Sequence, residues 1–165
     1  MMRIAALALM LLVSACGLRP LYGSGEGGKV AQALRTVDVA PIDGKAGWLM
    51  RNALNDRLDR DGGVPAQYRL EVELDDTISG FGVRRDDAVT RERRTLRARY
   101  RLVDAGRGTV LLDATAGSDA GIDVVSSEYA TVAAENTALE RLSQIIADQI
   151  VARVALYAER QTPDK

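Results

Sequence analysis

The sequence predicts an α+β fold: a two-layer sandwich in which an antiparallel sheet of about four strands carries two helices on one face. Three observations lead there. Apolar and polar residues alternate with period two in three stretches between Tyr68 and Ala116. Two other stretches, Ala46 to Arg60 and a long one ending near Tyr157, repeat apolar residues at helical spacing. The order strand, helix, three strands, helix then lets one shared core bury every apolar side.

Each element follows from its residues. Thr36 to Ile42 alternates around Val37 and Val39 and stops at Pro41, a short strand, and Asp43 with Gly44 turns the chain. In the next stretch Met50, Leu54 and Leu58 recur every four residues with Ala53 between them, one helix face, ended at Gly62 and Gly63. Tyr68, Leu70, Val72 and Leu74 alternate with Arg69, Glu71, Glu73 and Asp75, so that strand shows one face to a core and one to water. In the following strand Leu96, Ala98, Tyr100 and Leu102 face inward, while Arg97, Arg99 and Arg101 face outward with Arg91 and Arg93 continuing their parity. Asp104 to Gly108 is a hairpin turn. Val110, Leu112, Ala114 and Ala116 form the apolar side of the returning strand, and Gly117 to Gly121 reads as a loosened segment. Ser126 or Ser127 caps the last helix, whose stripe runs through Val132, Leu139, Leu142, Ile146, Ile150, Val154 and Tyr157, roughly 45 Å at 1.5 Å per residue.

Composition narrows the chemistry. The chain has 165 residues, 47% hydrophobic and 27% charged, which suits one globular domain and excludes a disordered or collagen-like chain. With no histidine and one cysteine it has no His-based triad, no His/Cys zinc site and no internal disulfide. A formal net charge of −1 gives no overall cationic field, so no nucleic-acid partner is expected. Asp75 with Asp76, Asp86 with Asp87, and Asp56 with Asp59 sit in charged or glycine-rich surroundings rather than the apolar ones a working acid/base pair needs. No catalytic residue and no metal ligand is assigned, and the chain reads as a non-enzyme.

The N-terminus carries the sharpest motif. Arg3 is a short positive region, Ile4 to Val13 an uninterrupted apolar run, and Ser14 and Ala15 are small, the pattern of a secretory signal peptide. The run is far short of the about 20 residues that span a bilayer. Leu12 to Cys16 resembles the lipobox of bacterial lipoproteins, so cleavage is expected between Ala15 and Cys16. Cys16 would then carry diacylglyceryl and N-acyl chains, each buried methylene contributing about 0.8 kcal/mol to membrane anchoring; no other cofactor is expected. A buried free thiol is the plainer reading of a lone cysteine, but it does not account for a position directly after small residues at the end of a leader. Gly17, rather than Asp, after the cysteine points to the outer membrane. The organisation read from this is a leader at 1–15, a lipidated N-terminus and Gly-rich tether at 16–35, one domain at 36–158 and a polar tail at 159–165. The tether's Gly23 to Gly28 lacks the strand, helix and Lys-Ser/Thr pair of a phosphate loop.

Taken together, Cys16-Gly-Leu-Arg-Pro-Leu-Tyr-Gly23, the element order, and a final segment reading Tyr129 to Leu142 then Ala147 to Tyr157 resemble the LptE family of outer-membrane lipopolysaccharide-assembly lipoproteins, in its alphaproteobacterial branch. The resemblance covers essentially the whole mature chain. It implies a non-enzymatic partner of the LptD β-barrel, held partly in the barrel lumen on the periplasmic side and assisting barrel assembly and lipopolysaccharide insertion. The alternative from another class is a lipid-binding auxiliary lipoprotein of an envelope ABC transporter.

Arginines concentrate between positions 84 and 101. Guanidinium forks match the paired oxygens of phosphate, which lipopolysaccharide carries. Arg97, Arg99 and Arg101 also lie opposite Glu71, Glu73 and Asp75, so cross-strand ion pairs of roughly 0.2 to 1 kcal/mol each explain that part of the face equally well. Arg84, Arg85, Arg91, Arg93 and Arg94 near the loop end have too few acids about them, and with Phe81 they form the candidate lipopolysaccharide or barrel contact. Phe81, flanked by Gly80 and Gly82, is either an exposed insertion point or folded back onto the core. The same two readings hold for Trp48, which lies off its helix's apolar stripe.

Overall fold

The computed structural model describes residues 28–60, 62–83 and 89–161. Its elements are α1 (Lys29–Leu34), β1 (Val37–Val39), α2 (Gly44–Leu58), β2 (Tyr68–Val83), β3 (Val89–Asp104), β4 (Val110–Asp123) and α3 (Glu128–Gln161). The strands lie side by side in chain order, with β2, β3 and β4 an antiparallel meander.

One pairing departs from the all-antiparallel expectation. β1 runs parallel to β2, Val37 beside Tyr68 and Val39 beside Leu70, so the sheet is mixed. The reason is the intervening helix: a strand, a crossover helix and an adjacent strand in one sheet give a parallel pair, whereas a tight hairpin gives an antiparallel one. The Ala40 N–H still donates to Leu70 O at 2.9 Å, and Pro41, with no N–H of its own, follows the last bond of this ladder.

The even-numbered side chains of β2 and β3 point into the core, as the alternation predicts. Leu70, Leu96, Ala98 and Leu102 are buried against Met50, Leu54 and Leu58 of α2 and Leu139, Leu142, Ile146 and Ile150 of α3. α2 packs on β1 and β2, α3 on β3 and β4, and the two helices on each other. Gly47 makes the turn into α2 possible, since a Cβ there would sit 2.4 Å from the backbone oxygen of Ile42. Arg57 ties the helices by donating to Asp148 Oδ1 at 2.5 Å and to the carbonyl of Gln144 at 3.2 Å.

Other boundaries also moved. Residues 29–34, read as tether, form α1, which buries Leu34 in the common core. β2 continues to Val83 and β4 to Asp123, because a long partner, β3, offers backbone groups along the whole length of both. The glycines read as loosening the chain at 117–121 are therefore in strand. α3 runs through Gln161 into the predicted tail. Ser127 starts it, its Oγ accepting from the Ala130 N–H at 3.4 Å. Val132, placed on the apolar stripe by spacing, is 45% exposed, and its neighbour Thr131 is the buried residue of that turn. Asp104 builds the predicted hairpin, its Oδ1 accepting from the N–H groups of Gly106 and Arg107, both at 2.9 Å.

Candidate functional site

With both long helices on one face, the other face of the sheet is left to the odd-numbered side chains. The register aligns Glu71 with Arg101, Glu73 with Arg99 and Asp75 with Arg97, as the sequence predicts. The ion pairs that form are largely different ones. Arg101 reaches Glu71 at 3.1 Å, and Arg69 reaches the same carboxylate at 2.8 Å. Arg99 turns the other way, donating twice to Asp113 of β4 at 3.3 and 3.0 Å, and Arg97 lies toward Asp119, 3.3 Å away. Arg97 can do so because residue 117, directly opposite, is glycine; a Cβ there would sit 2.4 Å from Arg97 Cδ.

These contacts set the charge state of the face. The hydrogen bonds from Arg99 hold the Asp113 carboxyl below the usual carboxylate range. Asp119 is lowered too, first by the Thr95 hydroxyl donating at 2.7 Å and then by Arg97. The face is thus a lattice of alternating fixed charges rather than a cationic patch. The acids of β4 that complete it were not singled out from the sequence, although they share odd parity: Asp113 lies within the stretch read as strand, and Asp119 and Asp123 lie beyond Ala116, where the strand continues.

Toward the end where β2 passes into β3, beyond the Phe81–Arg91 pair, the candidate contact residues of this β2–β3 hairpin end separate into three groups. Arg94 has the opposite parity to its neighbours and points to the helix side: its Nε and Nη2 grip both carboxylate oxygens of Asp76 at 2.8 and 2.5 Å, and its Nη1 donates to the carbonyl of Glu135 in α3 at 2.9 Å. Arg91 pairs with Asp123 at 3.1 Å on the open surface. Both therefore have acids, contrary to the expectation that this end lacks them, because β4 and the far end of β2 supply them in space. Arg93 stands over the ring of Phe81, its Cζ 5.2 Å from the centroid, a cation–π contact. Phe81 is neither on a loop nor folded into the core; it lies in β2 on the open face, 39% exposed. Ile78 nearby is 42% exposed, and Trp48, on the helix layer, is 64% exposed. Arg84 and Arg85 lie outside the described residues, as do Ala15, Cys16 and the leader.

The described residues contain no cluster of His, Cys, Asp or Glu placed to hold a metal ion, and no described helix is long and apolar enough to cross a membrane. An apolar cavity of about 240 Å³ lies at the other end of the molecule, between α1, the end of α3 and the sheet, lined by Leu34, Val37, Tyr68, Leu102, Val154 and Tyr157.

Comparison with known proteins bears on this arrangement. The family model for LptE, described as lipopolysaccharide-assembly, matches residues 34–154. No curated protein matches. Among solved structures, a Caulobacter crescentus protein described as a lipoprotein superimposes with a TM-score of 0.71 at 26% identity, over 83% of this chain and 100% of that one. Rare lipoprotein B from Shewanella oneidensis gives 0.59 at 10% identity over 76% and 96% of the two chains, and lipoprotein B from Nitrosomonas europaea 0.58 at 13% over 74% and 83%. The last two share the fold.

Proposed function

The chain belongs to the LptE lipopolysaccharide-assembly family, and we propose that it acts as an outer-membrane lipoprotein, acylated at Cys16 and facing the periplasm, that seats in the LptD β-barrel and assists barrel assembly and lipopolysaccharide insertion. Its role in that reading is structural; it transforms no substrate.

The observation that carries the proposal is the open sheet face. Lumens of large membrane barrels are polar, and a plug needs a rigid surface that meets a polar wall without presenting a single strong field. A lattice in which Arg69, Arg91, Arg97, Arg99 and Arg101 are each bound to Glu71, Asp113, Asp119 or Asp123 has that character. The contact for lipopolysaccharide or the barrel is then the hairpin end: Phe81 with Arg93 stacked on it, Arg91, and Arg84 and Arg85, with Arg94 holding that end against α3. Arg93, stacked on the Phe81 ring on the open face, presents its guanidinium there to take a phosphate.

The test is affinity purification of the full-length lipidated chain from outer membranes in mild detergent, with mass spectrometry of what accompanies it. A stoichiometric LptD barrel is the expected result. Transporter components in its place, or no partner at all, would overturn the reading and favour the auxiliary-lipoprotein alternative.

A further inference from the structure

The two edges of the sheet are finished differently, and the difference identifies a second interaction surface. On β4 the outward-facing backbone groups belong to the odd residues. There the side chain of Gln149, from α3, clamps Gly117: its Oε1 accepts from the Gly117 N–H at 3.2 Å and its Nε2 approaches the Gly117 carbonyl at 3.5 Å. Each acid along that edge, Asp113, Asp119 and Asp123, has an arginine partner. Gln149 thus blocks the middle of that edge, a common defence against further pairing.

The opposite edge has no such side-chain clamp on its backbone, although Asp76 on it is held by Arg94. β1 covers β2 only from Tyr68 to Leu70, with Ala40 adding one more bond. Beyond it the even residues, which direct their N–H and C=O groups away from β3, carry no backbone partner among the described residues at Leu74, Asp76, Ile78 and Gly80. Residues 75–80 are exposed along the backbone, with the Asp76 carboxylate turned under Arg94. The side chains flanking this edge are also incompletely used. Asp75 makes no ion pair among the described residues, and Glu73, its side chain 76% exposed, comes no nearer than 4.0 Å to Arg101. On the helix side Ile78 offers an exposed apolar surface at the same edge.

We propose that the free edge of β2, Leu74 to Gly80, accepts one strand of another polypeptide, with basic residues on the open face opposite Glu73 and Asp75 and apolar residues on the side of Ile78. Strand addition of this kind draws affinity from main-chain bonds and selectivity from alternate side chains. A second copy of this chain fits poorly as the occupant, because β2 has no Lys or Arg between Glu71 and Val83 and self-pairing in any register would bring acids without a cation. The inference rests on the sheet alone and not on the barrel reading.

The probe is a nine-residue peptide alternating Lys and Val, with a Glu–Val peptide as control, added to the full chain in detergent while backbone amide exchange is followed by NMR. The Lys–Val peptide should slow exchange at Leu74, Asp76, Ile78 and Gly80 by about tenfold or more at saturation, leaving their odd neighbours unchanged. Asp75→Lys, an exposed change, should transfer the preference to the Glu–Val peptide. Ile78→Pro removes one outward N–H without touching the β3 ladder and should weaken binding by about tenfold. No slowing at these amides, equal effects of the two peptides, an Asp75→Lys chain that keeps its preference for Lys–Val, or self-association through this edge would each overturn the proposal.

Discussion

Replacing Arg94 with serine separates folding from contact at the hairpin end. The side chain of Arg94 is 11% exposed and that of Asp76 is 23% exposed, so this pair is nearer to a buried ion pair than to a surface one. Exposed pairs contribute about 0.2 to 1 kcal/mol, whereas deleting one partner of a buried pair costs about 3 to 5 kcal/mol, because the other charge is left in a poorly solvated place. Serine also abandons the carbonyl of Glu135, the link between β3 and α3. Since Asp76 keeps some access to water, the expected cost is about 2 to 3 kcal/mol, between those two limits. For a domain of this size that lowers Tm by roughly 10 °C. Arg91→Ser is the matched control: its pair with Asp123 has side chains 64% and 78% exposed, and Tm should move by no more than about 2 °C. Thermal melts of the two variants followed by circular dichroism, with a double-mutant cycle through Asp76→Asn, measure the coupling directly. An Arg94→Ser protein melting within about 2 °C of the parent would refute the assignment of Arg94 to the fold and return it to the contact surface.

Further predictions follow from the same structure. Gly47→Ala should destabilise by about 2 kcal/mol in urea unfolding, despite alanine's better helix propensity, because its Cβ meets the backbone of Ile42; Gly117→Ala should cost less, since the Arg97 side chain it meets can swing aside. Asp113, Asp119 and Asp148 have native carboxyls lowered by their hydrogen-bond partners, led by Arg99, Thr95 and Arg57 respectively. Their stabilisation is complete above the unfolded carboxylate value of about 4 and is lost as pH falls through the lowered native values, so Asp113→Asn should flatten the fall in Tm below pH 4. Phe81→Ser combined with Arg93→Ser, both on the open face, should leave melting nearly unchanged and weaken capture of the barrel or of lipopolysaccharide; full capture would remove this end from the contact.

Local chemistry makes most of the architecture legible in the sequence. The period-two stretches at Tyr68–Leu74 and Leu96–Leu102 expose one face whatever they pair with, and Met50, Leu54 and Leu58 form a stripe through backbone geometry alone. Asp104 specifies its turn through its own side chain. The lipobox around Cys16 and the element order were enough to point to a family. The direction of β1, by contrast, depends on where α2 returns the chain, and the length of β2 and β4 depends on a partner strand long enough to bond them through Gly80 and Gly121, where local sequence favours a loop.

The site shows the same division. Parity put Arg91, Arg93, Arg97, Arg99 and Arg101 on one face from sequence alone. Which acid each arginine holds was decided by neighbours distant in the chain, because a guanidinium on a sheet reaches diagonally as well as straight across: Arg97 leaves the opposing Asp75 for Asp119 over the gap left by Gly117. Arg94 and Arg93, adjacent in sequence, ended in opposite roles because successive strand residues face opposite sides, one meeting α3 and the other the open surface. Sequence by itself determined the long elements and their amphipathic faces, set within a few residues of one another, and the Cys16 motif on which the proposed acylation rests. The mixed sheet, the ion-pair partners and the unequal edges were decided by tertiary structure, since each depends on which distant backbone or carboxylate the fold brings within about 3 Å.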